Sequence, residues 1–182
     1  FAKEYATDDE SVSGTIAKSV VSSDTSKLVA PGTKGNMVSM TLTGTPEVAV
    51  RVQYAATLTL NDKWMDADGK FYCPLQFKIP TYSAEDHGWV NMVVDGTKFN
   101  DAEALRREVE SKIDAFSATY AAGTSLDSLT AEDHKVPSVS WEWPFHHDDD
   151  SDIKDTYLGD QAAAGKAAEI QLTVVTTVTQ VD

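Results

Sequence analysis

The densest group of side chains that could carry chemistry is an acidic run late in the sequence. Asp148, Asp150 and Asp152 alternate along it, and carboxylates at this spacing match the first three ligands of an EF-hand calcium loop. The match then fails, because Ile153 stands where that loop needs glycine and Gly159 where it needs a bidentate glutamate. Two interpretations stay open: a Ca²⁺ site at the three aspartates, or a solvated acidic loop without a cofactor.

The four histidines give no zinc-protease pattern. His146 and His147 are adjacent, so on a strand they face opposite ways and do not readily chelate one Zn²⁺. Neither they nor His87 and His134 form a pair one helical turn apart with a glutamate between them. The sequence also lacks a nucleophile elbow, a phosphate loop and a dinucleotide fingerprint. We therefore predict that the chain is not an enzyme and has no catalytic residues.

Two tryptophans and the single cysteine have roles that depend on burial. Trp141 and Trp143 share one face of a strand, where they could stack on a sugar ring or pack in the core beside Phe145. Cys73 lies in an apolar stretch, which favours a buried and inert thiol.

Composition limits the partners. The chain has 182 residues, 41% of them hydrophobic and 24% charged, which is ordinary usage for one globular domain. Its 29 acidic and 15 basic residues give a net charge of -14, which repels nucleic-acid phosphates and anionic membrane surfaces. No apolar run approaches the length of a membrane span. Copies of the chain also repel one another, so any self-assembly needs directional contacts.

Apolar and polar residues alternate at period two in several stretches, and this pattern predicts half-buried strands. The clearest is the C-terminal stretch, in which Ala168, Ile170, Leu172, Val174, Thr176 and Val178 share one face. An all-β fold, an antiparallel β-sandwich, is therefore expected over residues 11–182 as a single domain. The other predicted strands are residues 38–43, 48–60, 71–79, 89–94 and 136–141.

One inserted α-helix is predicted at about residues 101–121. Asn100 and Glu103 form a start that resembles a capping box, and Gly123 is a natural stop. Glu103 with Arg107, and Glu108 with Lys112, are spaced for ion pairs on the solvated side. The apolar stripe at helical spacing consists of Leu105, Val109, Ile113, Phe116 and Tyr120.

Short motifs at both ends resemble secreted TasA/camelysin-type proteins. The resemblance covers about the first 60 and the last 45 residues, and the middle of the chain, including the helix, does not share it. Its motifs are FAKEYAT at residues 1–7, SGT at 13–15, LVAPG at 28–32, WEWPF at 141–145, DTYLG at 155–159 and TVTQVD at 177–182.

This resemblance implies a jelly-roll sandwich that is secreted after cleavage by a dedicated signal peptidase, which the start at Phe1 without methionine would fit. It implies a subunit of an extracellular biofilm-matrix or cell-surface fibre of a bacterium or archaeon. Identical subunits would join head to tail by donor-strand complementation, with other matrix proteins as further partners. A second implication is an enzyme, since camelysin-type relatives carry a metallopeptidase label. A monomeric surface adhesin that grips glycan through Trp141 and Trp143 is the third hypothesis.

The donor strand implied by the resemblance lies in the first ten residues. Phe1 and Tyr5 fall on one alternating face, and an acidic break at residues 8–10 separates them from the next strand. The alternative is a frayed chain end. The expected donor residues are Phe1, Ala2, Lys3, Glu4, Tyr5, Ala6 and Thr7.

Overall fold

The computed structural model describes residues 11–17, 31–38, 44–83, 88–126, 139–145 and 150–181, which form eight strands and two α-helices. The helices are α1 (Ala102–Asp114) and α2 (Ser151–Ala163). The strands are β1 (Ser11–Ala17), β2 (Lys34–Val38), β3 (Val50–Leu60), β4 (Gln76–Ser83), β5 (Gly88–Asp95), β6 (Ser117–Tyr120), β7 (Val139–Glu142) and β8 (Ile170–Gln180).

The longest strands lie side by side in the first of two sheets. This sheet, called sheet A, has the order β1-β8-β3-β6, and all of its pairs are antiparallel. β3 and β8 pair along their whole length, from Val50 opposite Gln180 to Leu60 opposite Ile170. From Val50 to Thr59, even-numbered residues of β3 are buried and odd-numbered ones are exposed, as the alternation in the sequence predicts.

The second sheet, sheet B, has the order β2-β7-β4-β5 and is also antiparallel. Large apolar side chains from both sheets join one hydrophobic cluster, which includes Leu58 and Leu172 from sheet A and Phe77 and Trp141 from sheet B. The prediction of a β-rich fold with two antiparallel sheets is therefore confirmed.

The inserted helix is shorter than predicted. α1 ends at Asp114, and β6 follows at Ser117–Tyr120, so the predicted span 101–121 is wrong in its last turns. Asp101, not Asn100, is the N-cap, and its carboxylate accepts the Ala104 N–H at 2.7 Å. The pairs Glu103 with Arg107 and Glu108 with Lys112 form as expected, with N···O distances of 3.1 and 3.5 Å.

A second helix, α2, was not predicted. It begins at Ser151, inside the stretch interpreted as an acidic loop, so the expectation of one inserted helix is wrong. Its apolar stripe is weak, because the buried residues are Ser151, Asp155 and Leu158. Neither helix in the described ranges is long and apolar enough to cross a membrane.

Candidate functional site

Among the described residues, β1 covers only part of the outer edge of β8. It pairs with β8 from Ile170 to Val175, and this pairing begins at Ser11, where the described part of the chain also begins. β8 continues to Gln180, where it still pairs with β3 on its other side. Among the described residues, no strand covers the outer edge of β8 at residues 176–180, and we call this stretch the open edge.

The pairing of β8 with β3 shows which backbone N–H and C=O groups are directed towards the open edge. Val181 N–H donates to Ala49 O at 2.9 Å and Asn61 N–H donates to Glu169 O at 3.1 Å, so odd-numbered residues of β8 and β3 bond each other. Backbone groups alternate sides along an antiparallel strand. The N–H and C=O groups of residues 176, 178 and 180 are therefore directed towards the open edge.

The side of the open edge that faces the core is apolar. Thr176 pairs with Tyr54 and Val178 pairs with Val52, whose exposed fractions are 4% and 0%. Val178 itself is half-buried and packs against the hydrophobic cluster. A strand added at this edge would therefore place every second side chain beside Val178 and Thr176, on the face of sheet A that is directed towards the hydrophobic cluster.

The side of β3 that faces away from β8 is covered partly by a strand and partly by a helix. β6 pairs with β3 only from Val50 to Gln53. Beyond it, α1 packs along β3, and the Asp114 carboxylate accepts the Ala56 N–H at 2.7 Å. A side chain thus takes the place of a strand partner, which is one way that proteins protect sheet edges. The spacing of 58 residues gave no sequence signal for this contact.

In sheet B, the edge strand β5 carries two exposed apolar side chains. Met92 is 38% exposed and Val93 is 53% exposed, and they are consecutive, so they lie on opposite faces. β5 is therefore a second apolar edge, although no contact identifies a partner for it.

The three aspartates of the predicted calcium site are described only in part. Asp148 lies outside the described residues, Asp150 is the N-cap of α2 and Asp152 lies in its first turn. Asp150 lines a small cavity of about 170 Å³ together with Asp66 and Asp68 from the β3–β4 connection. Within the described ranges, no three His, Cys, Asp or Glu residues are grouped so that they could hold a metal ion. The site at Asp148, Asp150 and Asp152 stays a prediction.

A buried polar contact anchors α2 to the body of the protein. Tyr72 O–H donates to Asp155 Oδ1 at 2.5 Å, and both residues are buried. The Lys154 ammonium lies over the Tyr72 ring, 5.5 Å from its centroid. The sequence gives no signal for this contact, because 83 residues separate its two members.

Beside this contact lies a polar cleft of about 530 Å³ between the β3–β4 connection, the turn after β5 and α2. Lys70 and Lys154 line it with the Thr97 hydroxyl and the Asn100 amide. These groups could bind a small anion, and the Thr97 hydroxyl also donates to Asp95 Oδ1 at 2.7 Å.

The tryptophans and the cysteine are structural. Trp141 and Trp143 are buried in the hydrophobic cluster, which leaves neither ring free to stack on a sugar. Phe145 does not join them, because it is 73% exposed and lies against Gly32. Cys73 is fully buried, and burial raises the pKa of its thiol to about 12, so it stays protonated and inert at neutral pH.

The remaining predicted site residues, the donor segment at residues 1–7 and all four histidines, lie outside the described residues. No family model matches the chain, and no curated protein or solved structure matches it either.

Proposed function

We propose that this chain is the structural subunit of an extracellular fibre, in which each copy donates residues 1–7 to a sheet edge of the next. The observation that supports the proposal is the open edge, the stretch of β8 at residues 176–180 that no described strand covers. An edge with unpaired N–H and C=O groups is a template for another strand. A donated strand is a recognised mode of protein association.

The geometry of such a contact favours a chain of subunits over a closed dimer. The donor lies before β1 and the acceptor lies at the end of β8, so they are different surfaces of one molecule. A contact between two different surfaces propagates head to tail unless the rotation closes a ring. Backbone hydrogen bonds also supply the directional attraction that a subunit with a net charge of -14 needs.

The energy of the contact is moderate. Residues 176, 178 and 180 could form about six backbone hydrogen bonds, each with a net value of about 1 kcal/mol. Burial of the Tyr5 ring would add roughly 2 kcal/mol. Association costs about 4–15 kcal/mol, so the strand alone holds subunits weakly and further surface must contribute. The exposed Met92 and Val93 of β5 are available for such a contact.

The finer parts of the proposal follow from the resemblance. The two sheets would form a jelly roll, the protein would be secreted, and the fibre would belong to a biofilm matrix or a cell surface. The two alternatives have less support. The glycan-binding adhesin loses its aromatic platform, since Trp141 and Trp143 are buried. The metallopeptidase lacks the histidine spacing that its chemistry requires.

Size-exclusion chromatography and negative-stain microscopy of the purified chain test the proposal. We expect filaments whose growth is faster at 0.5 M than at 0.05 M NaCl, because salt screens the repulsion between acidic subunits. Monodisperse monomers at all protein and salt concentrations would reject the fibre function. Zinc-dependent cleavage of casein, lost in His146→Ala, would instead favour the peptidase.

A further inference from the structure

The polar cleft beside the Tyr72–Asp155 contact has two lysines on its lining, Lys70 and Lys154. Neither ammonium group forms an ion pair with a carboxylate of a described residue, whereas Lys63, Lys78 and Lys112 each have a carboxylate within 3.5 Å. The chain as a whole carries 29 acidic and 15 basic residues. Two lysines without a carboxylate partner at one cleft therefore provide a local positive charge that a bound anion can neutralise.

Local contacts hold both lysines at the cleft. The Lys154 side chain is half-buried, and its ammonium group lies 5.5 Å from the centroid of the buried Tyr72 ring. The backbone of Lys70 is fixed by a turn, because its N–H donates to Asp66 Oδ1 at 3.0 Å and its C=O accepts the Asp66 N–H at 2.9 Å. Groups that are already held in place lose less freedom when a ligand binds.

The other part of the cleft wall is aromatic. Phe71, Tyr72 and Phe99 line it, and Phe71 and Phe99 are half-buried side chains that pack against the hydrophobic cluster. The volume of about 530 Å³ lies in the range of small-molecule sites and exceeds the size of a carboxylate or phosphate group alone. A ligand that fills the cleft therefore needs an apolar part in addition to its charge.

The charges around the cleft favour a ligand with one negative charge. The Asp66 carboxylate lines the cleft beside the two lysines, so the charged groups of the lining sum to one positive charge. Asp68 and Asp150 line the small neighbouring cavity that shares Asp66 and Lys154, and they add negative charge nearby. A second negative charge on the ligand would meet these carboxylates and be repelled.

The neutral polar groups of the lining differ in what they can donate. The Thr97 hydroxyl already donates to Asp95 Oδ1, so it offers the cleft an acceptor. The Asn100 amide is exposed and supplies N–H donors. A carboxylate would thus bind between the two ammonium groups and this amide.

We propose that the cleft binds a small aromatic monocarboxylate. Its carboxylate accepts hydrogen bonds from Lys70, Lys154 and Asn100, and its ring packs against Phe71 and Phe99. This binding site goes beyond the proposed fibre function and does not depend on it, because no residue of the open edge lines the cleft.

Saturation-transfer difference NMR tests the proposal with benzoate as the probe. The method observes the ligand, so it works with monomers and with filaments of the full chain. At an ionic strength of about 0.1 M we expect saturable binding with a Kd of about 1 mM, which is typical for so small a ligand. Acetate lacks the ring and benzamide lacks the charge, so each should bind about fivefold more weakly or worse. Inorganic phosphate should compete with benzoate only weakly.

Substitution of the lysines locates the site. Lys70→Gln and Lys154→Gln should each raise the Kd of benzoate by about fivefold or more, because each removes one charged donor. Lys154→Arg keeps the charge over the Tyr72 ring and should stay within about twofold of the wild type. The matched control is Lys98→Gln: Lys98 is exposed and follows Thr97 in the chain, but it does not line the cleft, so its Kd should not change. Circular dichroism confirms that each variant is folded.

Three outcomes would overturn the proposal: no saturable signal from benzoate, equal binding of benzoate and benzamide, or equal losses in Lys70→Gln and Lys98→Gln. Tighter binding of phosphate than of benzoate would show that the ligand class is wrong. None of these results bears on filament formation, which is measured separately by microscopy.

Discussion

Replacing Tyr72 by phenylalanine should loosen α2 from the body of the protein. The change removes only the hydroxyl that donates to the buried Asp155 Oδ1. Hydrogen bonds to charged groups contribute about 1.5–3 kcal/mol, and the buried carboxyl would lose this donor. For a chain of this size each kcal/mol corresponds to about 2–4 °C, so we expect a melting temperature about 3–12 °C lower.

Thermal and urea denaturation followed by circular dichroism would measure this loss. Tyr157→Phe is the matched control, because Tyr157 is a half-buried tyrosine on α2 itself and its hydroxyl forms no hydrogen bond with another described residue. We expect this control to change stability by less than about 0.5 kcal/mol. A double-mutant cycle of Tyr72→Phe with Asp155→Ala should give a coupling energy of about 1.5–3 kcal/mol. Equal effects of the two tyrosine variants would refute the anchoring role.

Three further outcomes are expected. Gly96→Ala should cost about 1–3 kcal/mol by overpacking, because its Cβ would lie 2.5 Å from Cys73 O and 2.8 Å from Leu75 O; an unchanged urea midpoint would contradict this. The Cys73 thiol has a pKa of about 12 when folded against 9.0 in the unfolded chain, so its contribution to stability should fall from about pH 9 upwards, and Cys73→Ala should lack that part of the decline. If residues 148–152 are only solvated, a chelator should leave the melting temperature unchanged; a drop of several degrees that disappears in Asp150→Ala would establish the calcium site.

The sequence predicted the central strands well because their burial follows from alternation alone. β3 and β8 have a strict period of two, which defines a core-facing side without knowledge of the partner strand. The pairing of these two strands could not be predicted. Alternation shows which side of a strand is buried, but it does not show which other strand lies beside it. The predicted strand at residues 71–79 began too early for a related reason: residues 72–75 are apolar and buried but irregular, and β4 begins at Gln76.

The helices show where pattern reasoning is ambiguous. Phe116 and Tyr120 are four residues apart, a spacing that fits one face of a helix and also one face of a strand. Ala118, between them, is also buried, and burial of every second residue is the period of a strand. Alanine is only weakly apolar, so the sequence did not show that this position faces the core. α2 was missed because Asp155, a buried member of its contact face, is a carboxyl whose partner lies in a distant part of the chain.

The candidate site was only partly predictable. Residues 1–7 are a predicted donor, from their own pattern and from the resemblance, and this stays a prediction because they lie outside the described residues. The acceptor edge could not be found from sequence, because alternation does not show which strands lie side by side.

Deletion of residues 1–7 tests the central claim most directly, with negative-stain microscopy and circular dichroism as the two measurements. The proposed mechanism predicts that the shortened chain keeps its β-sheet spectrum and cooperative melting, forms no filaments and stays monomeric in solution. It also predicts that the shortened chain, added to wild-type subunits, caps growing filaments and shortens them in proportion to its concentration. Filaments of normal length and number from the folded, shortened chain alone would contradict the mechanism.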